Sequence, residues 1–135
     1  MSYLHVLNLD TLGGVEELFV HFLANAAPIT TIPQHVLVTG NKPHPFFIQY
    51  LKHANSLTTE KYAGIIKLPG FMRGWKRNIA LAKAKATTSI LWNRMEDYPW
   101  PGKKIYYEHG ASWIAKKTEK SSHFFETIDA VIANS

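Results

Sequence analysis

The stretch LHVLNLDTLGGVEELFVHFLA, Leu4–Ala24, decides the fold. Leu4, Val6, Leu7 and Leu9 form a short apolar run of strand length, and Asp10-Thr11-Leu12-Gly13-Gly14 closes it as a turn. Beyond the turn the hydrophobic period changes. Val15, Leu18, Phe19, Phe22, Leu23 and Ala26 recur at helical spacing, Glu16 and Glu17 stand in the first turn where carboxylates suit the helix dipole, and Pro28 stops the run. A buried strand that turns through a glycine pair into an amphipathic helix is the opening half of a βαβ unit.

The same alternation continues outward. His35–Thr39 reads as a second strand closed by Gly40, and Pro45 is placed to start a helix that runs to about Ala54. Tyr62–Leu68 predicts a third strand broken by Pro69-Gly70. Trp75 to about Ala86 predicts a third helix with Trp75, Ile79, Ala82 and Ala86 on one face. Thr87–Asn93, Lys104–Glu108 and Ile128–Ala133 complete the strands, and a weak helix is expected from about Lys116 to Phe125. The strands are apolar runs instead of clean alternations, as in sheets covered on both faces. The expectation is an α/β fold: a doubly wound, mostly parallel Rossmann-like sheet of about six strands with helices on both faces.

At 135 residues, with 46% apolar and 19% charged side chains, the chain suits one domain with a core and not a disordered segment. No apolar run reaches the roughly 20 residues of a membrane span. MSYLHVLNLD lacks the basic start and small-residue cleavage site of a signal peptide. Zero cysteines exclude a disulfide framework and a thiolate nucleophile and fit a cytoplasmic location. A net charge of +5 and an isoelectric point near 9.5 favour acidic partners such as nucleotide phosphates or lipid headgroups. Asn134-Ser135 follows the sixth strand where another helix is due, so more protein is expected to follow.

In an open parallel sheet, ligands gather beyond the carboxyl ends of the strands. There Gly13-Gly14 opens a helix whose start presents N–H groups to an anion, and a diphosphate is the natural guest; a ligand-free turn has the same sequence. The G-x-G-x-x-G fingerprint and the phosphate-loop pattern are both missing, which disfavours a dinucleotide or ATPase site. His109, between Glu108 and Gly110 at a strand end, is placed to exchange a hydrogen bond with a ligand or to tie down a carbonyl. The other six histidines have no metal-ligand spacing, and G-x-S-x-G is absent. Trp92, Trp100 and Trp113 either stack on sugar rings or fill the core. Arg73, Lys76 and Arg77 around Trp75 form a candidate membrane or anion surface, or the solvated face of an ordinary helix. No nucleic-acid-binding module is recognisable.

LHVLNLDTLGGVEELFVHFL, YYEHGASW and IDAVIANS, taken together and in order, resemble the N-terminal domain of family-4 retaining glycosyltransferases of the GT-B architecture. The Gly-Gly-x-Glu turn is the most specific of these pieces. The resemblance covers residues 1–135 and implies an acceptor-side Rossmann-like domain. Its partner, the C-terminal nucleotide-sugar domain, would lie outside these residues. By the same resemblance, Gly13 and Gly14 touch the donor diphosphate or sugar, and His109 is the catalytic residue near the transferred sugar. Glu16 belongs to the same motif, whereas the loop Asn93–Pro101 with Arg94 departs from the family's pattern; Glu16, Arg94, Glu108 and Trp113 are candidates for the acceptor or the cleft. The partners implied are a nucleotide-sugar donor and a glycan or lipid-linked acceptor; peripheral membrane contact is an expectation from the basic surface around Trp75. No cofactor and no metal are implied. The half-enzyme alone is expected to be inactive. The alternative is a non-catalytic Rossmann-like module that binds a nucleotide or a partner.

Overall fold

In a computed structural model of the chain, residues 1–40, 43–59, 70–109 and 119–134 are described, with the backbone alone at 70–73, 109, 119–121 and 134. The opening stretch folds as its periods dictate. Tyr3–Asn8 is strand β1, and Gly13 caps helix α1, Gly14–Asn25, whose Val15, Phe19, Val20 and Leu23 are buried. A single 3-10 turn, Ala27–Ile29, carries Pro28 and ends the helical segment. There follow β2 (Gln34–Thr39), α2 (Pro45–Leu51), β3 (Ser56–Thr59) and α3 (Gly70–Ala84). Strands β4 (Thr88–Trp92) and β5 (Lys103–His109), helix α4 (Glu119–Glu126) and strand β6 (Ala130–Asn134) complete the described elements.

The six strands form one sheet in the order β3-β2-β1-β4-β5-β6, and every pairing is parallel. This is a Rossmann-like α/β arrangement. The chain first winds outward from β1 through β2 to β3, then crosses back to β4 and winds the other way. The reversal therefore falls between β1 and β4, where such sheets open a crevice at their carboxyl edge.

Two cores follow from the strict alternation of side chains along each strand. On one face Leu7, Leu9, Val36, Val38 and Trp92 pack against Phe19, Leu23, Phe47 and Leu51 of α1 and α2. On the other Leu4, Val6, Leu37, Leu91 and Tyr106 pack with Trp100, Phe124 and the half-buried Leu81 of α3. Neighbouring residues of one strand thus serve opposite layers, and each apolar run is buried along its length.

The described residues differ from the sequence reading in three places. The edge strand β3 is Ser56-Leu57-Thr58-Thr59, which has one large apolar residue and gave no strand signal; the predicted strand Tyr62–Leu68 lies outside the described residues. Alternation of strand and helix also breaks between β4 and β5. Residues 93–102 make that crossover as an irregular segment, and Tyr98 and Trp100 pack where a helix would otherwise cover the sheet. Finally, of the expected apolar face of α3 only Ala86, just past the helix end, is buried. Trp75 is 61% and Ile79 39% exposed, and Ala82 is exposed too, whereas the half-buried side chains are Arg77, Ala80, Leu81 and Ala84.

Candidate functional site

The carboxyl edge collects the ends of β1, β2, β4 and β5. At the end of β1, the Asn8 side-chain oxygen accepts from the Asp10 backbone N–H at 2.8 Å, and the Leu9 carbonyl accepts from the His44 N–H at 2.7 Å. These bonds fix the chain's departure from the strand and bind the β2–α2 loop beside it. Gly40, at φ +105°, ends β2 against the Asp10 carboxylate, where a Cβ would lie 2.6–2.8 Å from all three carboxyl atoms. The pairing of Asp10 with Gly40 was not legible beforehand; the signal available was a glycine one residue past a strand, beside an acid one strand over.

Gly13 stands at the helix start in extended conformation, and its carbonyl accepts from Glu17 N–H at 3.0 Å. Having no side chain, it leaves space that the Glu16 carboxylate fills by folding back over the helix start; a Cβ there would collide with it. The start of α1 is thus negatively furnished, by Glu16 and Glu17 in its first turn and by Asp10 at the strand end. A carboxylate already occupies the place that a diphosphate would take by the helix-dipole argument. Neutral hydroxyl groups, which donate to carboxylates, suit these surroundings better.

Across the strand-order reversal, Asn93 leaves β4 with φ +51° and donates its N–H to the Tyr107 carbonyl at 2.7 Å. Arg94 Nε then donates to Glu96 Oε2 at 3.0 Å, and Arg77 Nη1 of α3 donates to Glu96 Oε1 at 2.5 Å. Arg77 also lies over the Tyr98 and Trp100 rings, 4.7 and 5.2 Å from their centroids. Burial pushes the Glu96 carboxyl up, but its bonds to Arg77 and Arg94 outweigh this and hold it below the usual range. The carboxylate thus holds the β4–β5 crossover to α3. Replacing Glu96 with Gln is expected to cost about 2 kcal/mol in a urea unfolding titration, because the largely enclosed Arg77 loses the charge of Glu96 beside it. A lowered carboxyl pKa contributes stability that is present above its unfolded value and lost as pH falls through the folded one. Wild type and Glu96→Gln should therefore converge in acid.

Glu108 is buried and accepts from the buried Tyr106 hydroxyl, two residues back on the same face of β5. Burial, and then the carboxylate, push the Tyr106 hydroxyl well above its ordinary pKa, so it remains a donor. Glu108 lies on the Tyr106 face of β5 with 2% of its surface exposed. Of the two readings open for Trp92 and Trp100, the core one holds: they are 8% and 4% exposed. Trp92 has a polar duty that the sequence did not reveal. Its Nε1 donates to Nδ1 of the fully buried His5 at 3.0 Å, and His5 Nε2 meets Gln34 Oε1 at 2.6 Å. The only hint was a histidine inside an otherwise apolar strand.

His109 is the last residue of β5, in register with Asn134 of β6, so its backbone lies on the same edge as Gly13 and Gly14. Strands β1 and β5 are separated by β4 alone, a lateral distance of about 10 Å. Arg94 is on this edge as well, held by Glu96. Trp113 lies outside the described residues. Of the expected basic surface, Lys76 is exposed and Arg73 is placed on the first turn of α3, but Arg77 is engaged by Glu96 and the two rings. Among the described residues no group of three or more His, Asp or Glu could hold a metal ion, and no helix is long and apolar enough to cross a membrane.

Comparison of the chain with family models, curated proteins and solved structures gave no match.

Proposed function

We propose that the chain is the acceptor-side half of a two-domain retaining glycosyltransferase, which moves a sugar from a nucleotide-sugar donor to a glycan or lipid-linked acceptor. The observation that carries this proposal is the start of α1. Gly13 and Gly14 open the helix beside the strand-order reversal, the Glu16 carboxylate folds over Gly13, and β5 ends in His109 on the same edge. The acidic character of the helix start favours the hydroxyls of the transferred sugar, not the donor diphosphate, as the group that meets Gly13 and Gly14. The diphosphate then falls to the C-terminal domain. His109 supplies a hydrogen bond to a sugar hydroxyl as charge develops on departure of the diphosphate.

The test is sugar transfer by a polypeptide that carries this domain together with the C-terminal domain. His109→Ala is expected to lower turnover by about 100-fold with a much smaller change in donor affinity. Unchanged turnover would remove His109 from the site. The 135-residue chain alone is expected to bind nucleotide-sugars no more tightly than about 1 mM, because most donor contacts belong to the other domain. Micromolar binding by the chain alone would replace this proposal with a self-sufficient nucleotide-binding module.

A further inference from the structure

Between Leu18 and Leu51 the sequence carries a single charged side chain, Lys42, although charged residues make up 19% of the whole. This stretch holds most of α1 and all of β2 and α2. Strand β2 is largely buried, so the neutral surface it leaves is the outer side of the two helices. Recognition of a phosphate or an acidic lipid needs clustered cations, and α1 and α2 contain neither lysine nor arginine.

A row of three rings crosses the seam between these helices. Phe46 and Tyr50, one turn apart on α2, have centroids 5.9 Å apart and planes tilted by 52°. His21 of α1 continues the row, 6.1 Å from Tyr50 at 55°. Phe46 is 42% exposed, His21 is exposed and Tyr50 is half-buried, so each ring keeps part of its surface open. Two hydrogen-bonding side chains border the row. Glu17, one turn before His21, and Gln49, three residues after Phe46, are both exposed. The row begins at the carboxyl edge, where the Phe46 N–H donates to His44 Nδ1 at 3.2 Å and the neighbouring Phe47 is fully buried. From there it leads down α2 and across to α1.

A pyranose presents C–H groups on its faces and hydroxyls at its rim. The faces lie on aromatic rings, and the hydroxyls donate to a carboxylate or exchange hydrogen bonds with an amide. The separation of these rings is close to that of consecutive sugars, and their tilt suits a chain whose sugars turn from one linkage to the next.

We propose that Phe46, Tyr50 and His21 form a platform for a neutral oligosaccharide, with Glu17 and Gln49 bonding its hydroxyls. Charge and shape select this occupant. A stable protein interface, one with a second copy included, covers about 800 Å² a side around an apolar centre, whereas this row is narrow and polar along both sides. The inference deepens the sugar-transfer proposal and rests on it for the ligand's role. The platform holds a part of the acceptor remote from the reacting hydroxyl, and binding of such remote sugars contributes to turnover.

Binding itself needs no donor and no second domain, so it is read on the 135-residue chain. The probes are maltohexaose, cellohexaose, mannohexaose and chitohexaose, each beside its monosaccharide, titrated in saturation-transfer NMR. At least one hexaose is expected to bind at about 1 mM, and its monosaccharide at least about 10-fold more weakly. Phe46→Ala is expected to weaken binding by about 10-fold, with thermal unfolding near that of wild type because the ring is largely open. Tyr50→Leu, which keeps an apolar side chain over the core and removes the ring, is expected to do the same. Four results would overturn the inference: no binding of any hexaose; equal binding of hexaose and monosaccharide; full binding by both Phe46→Ala and Tyr50→Leu; or self-association of the free chain that Phe46→Ala abolishes, which assigns the face to a second copy. A two-domain polypeptide that binds a hexaose through these rings yet transfers no sugar would instead sink the transfer proposal and leave the platform standing.

Discussion

Replacing Gly102 with alanine is expected to destabilise the chain by about 3 kcal/mol, measured by urea unfolding. Gly102 leads into β5 with φ +69°, a conformation that costs an L side chain about 1 kcal/mol. The larger part is steric. A Cβ here would overlap the Thr87 carbonyl, and that oxygen cannot move freely because it accepts from the Lys103 N–H at 3.1 Å. Pro101 is held as well, its carbonyl accepting from the buried Ser89 hydroxyl at 2.7 Å. Relief requires the backbone of β4 or β5 to shift, which costs about 1–3 kcal/mol in packed structure. Gly102→Asn separates the two contributions. Asparagine tolerates positive φ yet carries the same Cβ, so it should recover little of the loss. A variant within about 0.5 kcal/mol of wild type would show that the approach of Gly102 to Thr87 is not close.

Much of this fold follows from hydrophobic period, and the places where it does not share a cause. Strands β1, β2, β4 and β5 are apolar on both faces, so their runs declare them. The carboxyl edge was legible because parallel strands put all their ends on one side; hence Gly13, Gly14 and His109 fall together without any knowledge of side-chain contacts. Period identifies residues that share a face but does not say which face is covered. In α3 the apolar stripe through Trp75 and Ile79 is outward, because Arg77 finds an aromatic platform and a carboxylate contributed by residues 96–100. Likewise Ser56–Thr59, at the sheet edge, needs ladder hydrogen bonds more than apolar side chains, so composition was silent. Glu108 adjoins a strand end in sequence, but alternation turns it into the layer of Tyr106. A carboxylate's burial depends on a partner two residues away, and an unaligned sequence does not advertise that.

The stability of the chain is expected to fall by about 3 kcal/mol between pH 6.5 and pH 4 because of one residue, His5. Trp92 Nε1 is only a donor, so His5 Nδ1 must accept and carry no proton. Gln34 Nε2 donates to the Ile32 carbonyl at 3.0 Å, which turns its Oε1 toward His5 and makes His5 Nε2–H the donor. The network is complete for neutral imidazole. A second proton on Nδ1 would point at the indole N–H inside a cluster of Phe19, Phe22 and Trp92 rings. Burial therefore lowers the His5 pKa from 6.5 to about 4, against the opposing bond to Gln34 and with a small further push from His35. The unfolded chain takes up its proton near pH 6.5 and the folded chain does not, so each unit of acidification within that window favours unfolding. Above pH 6.5 the contribution is constant. Glu96, whose carboxyl is also held low, loses stability in the same direction as pH falls, but enters only at the acid end of the window. The discriminating variant is His5→Gln, whose amide offers one acceptor to Trp92 and one donor to Gln34 but does not titrate. It should be less stable than wild type at pH 7.5 and show a much flatter decline from pH 6.5 to 4.5. Equal slopes in the two proteins would mean that His5 is protonated in the folded state and that its partners are arranged otherwise.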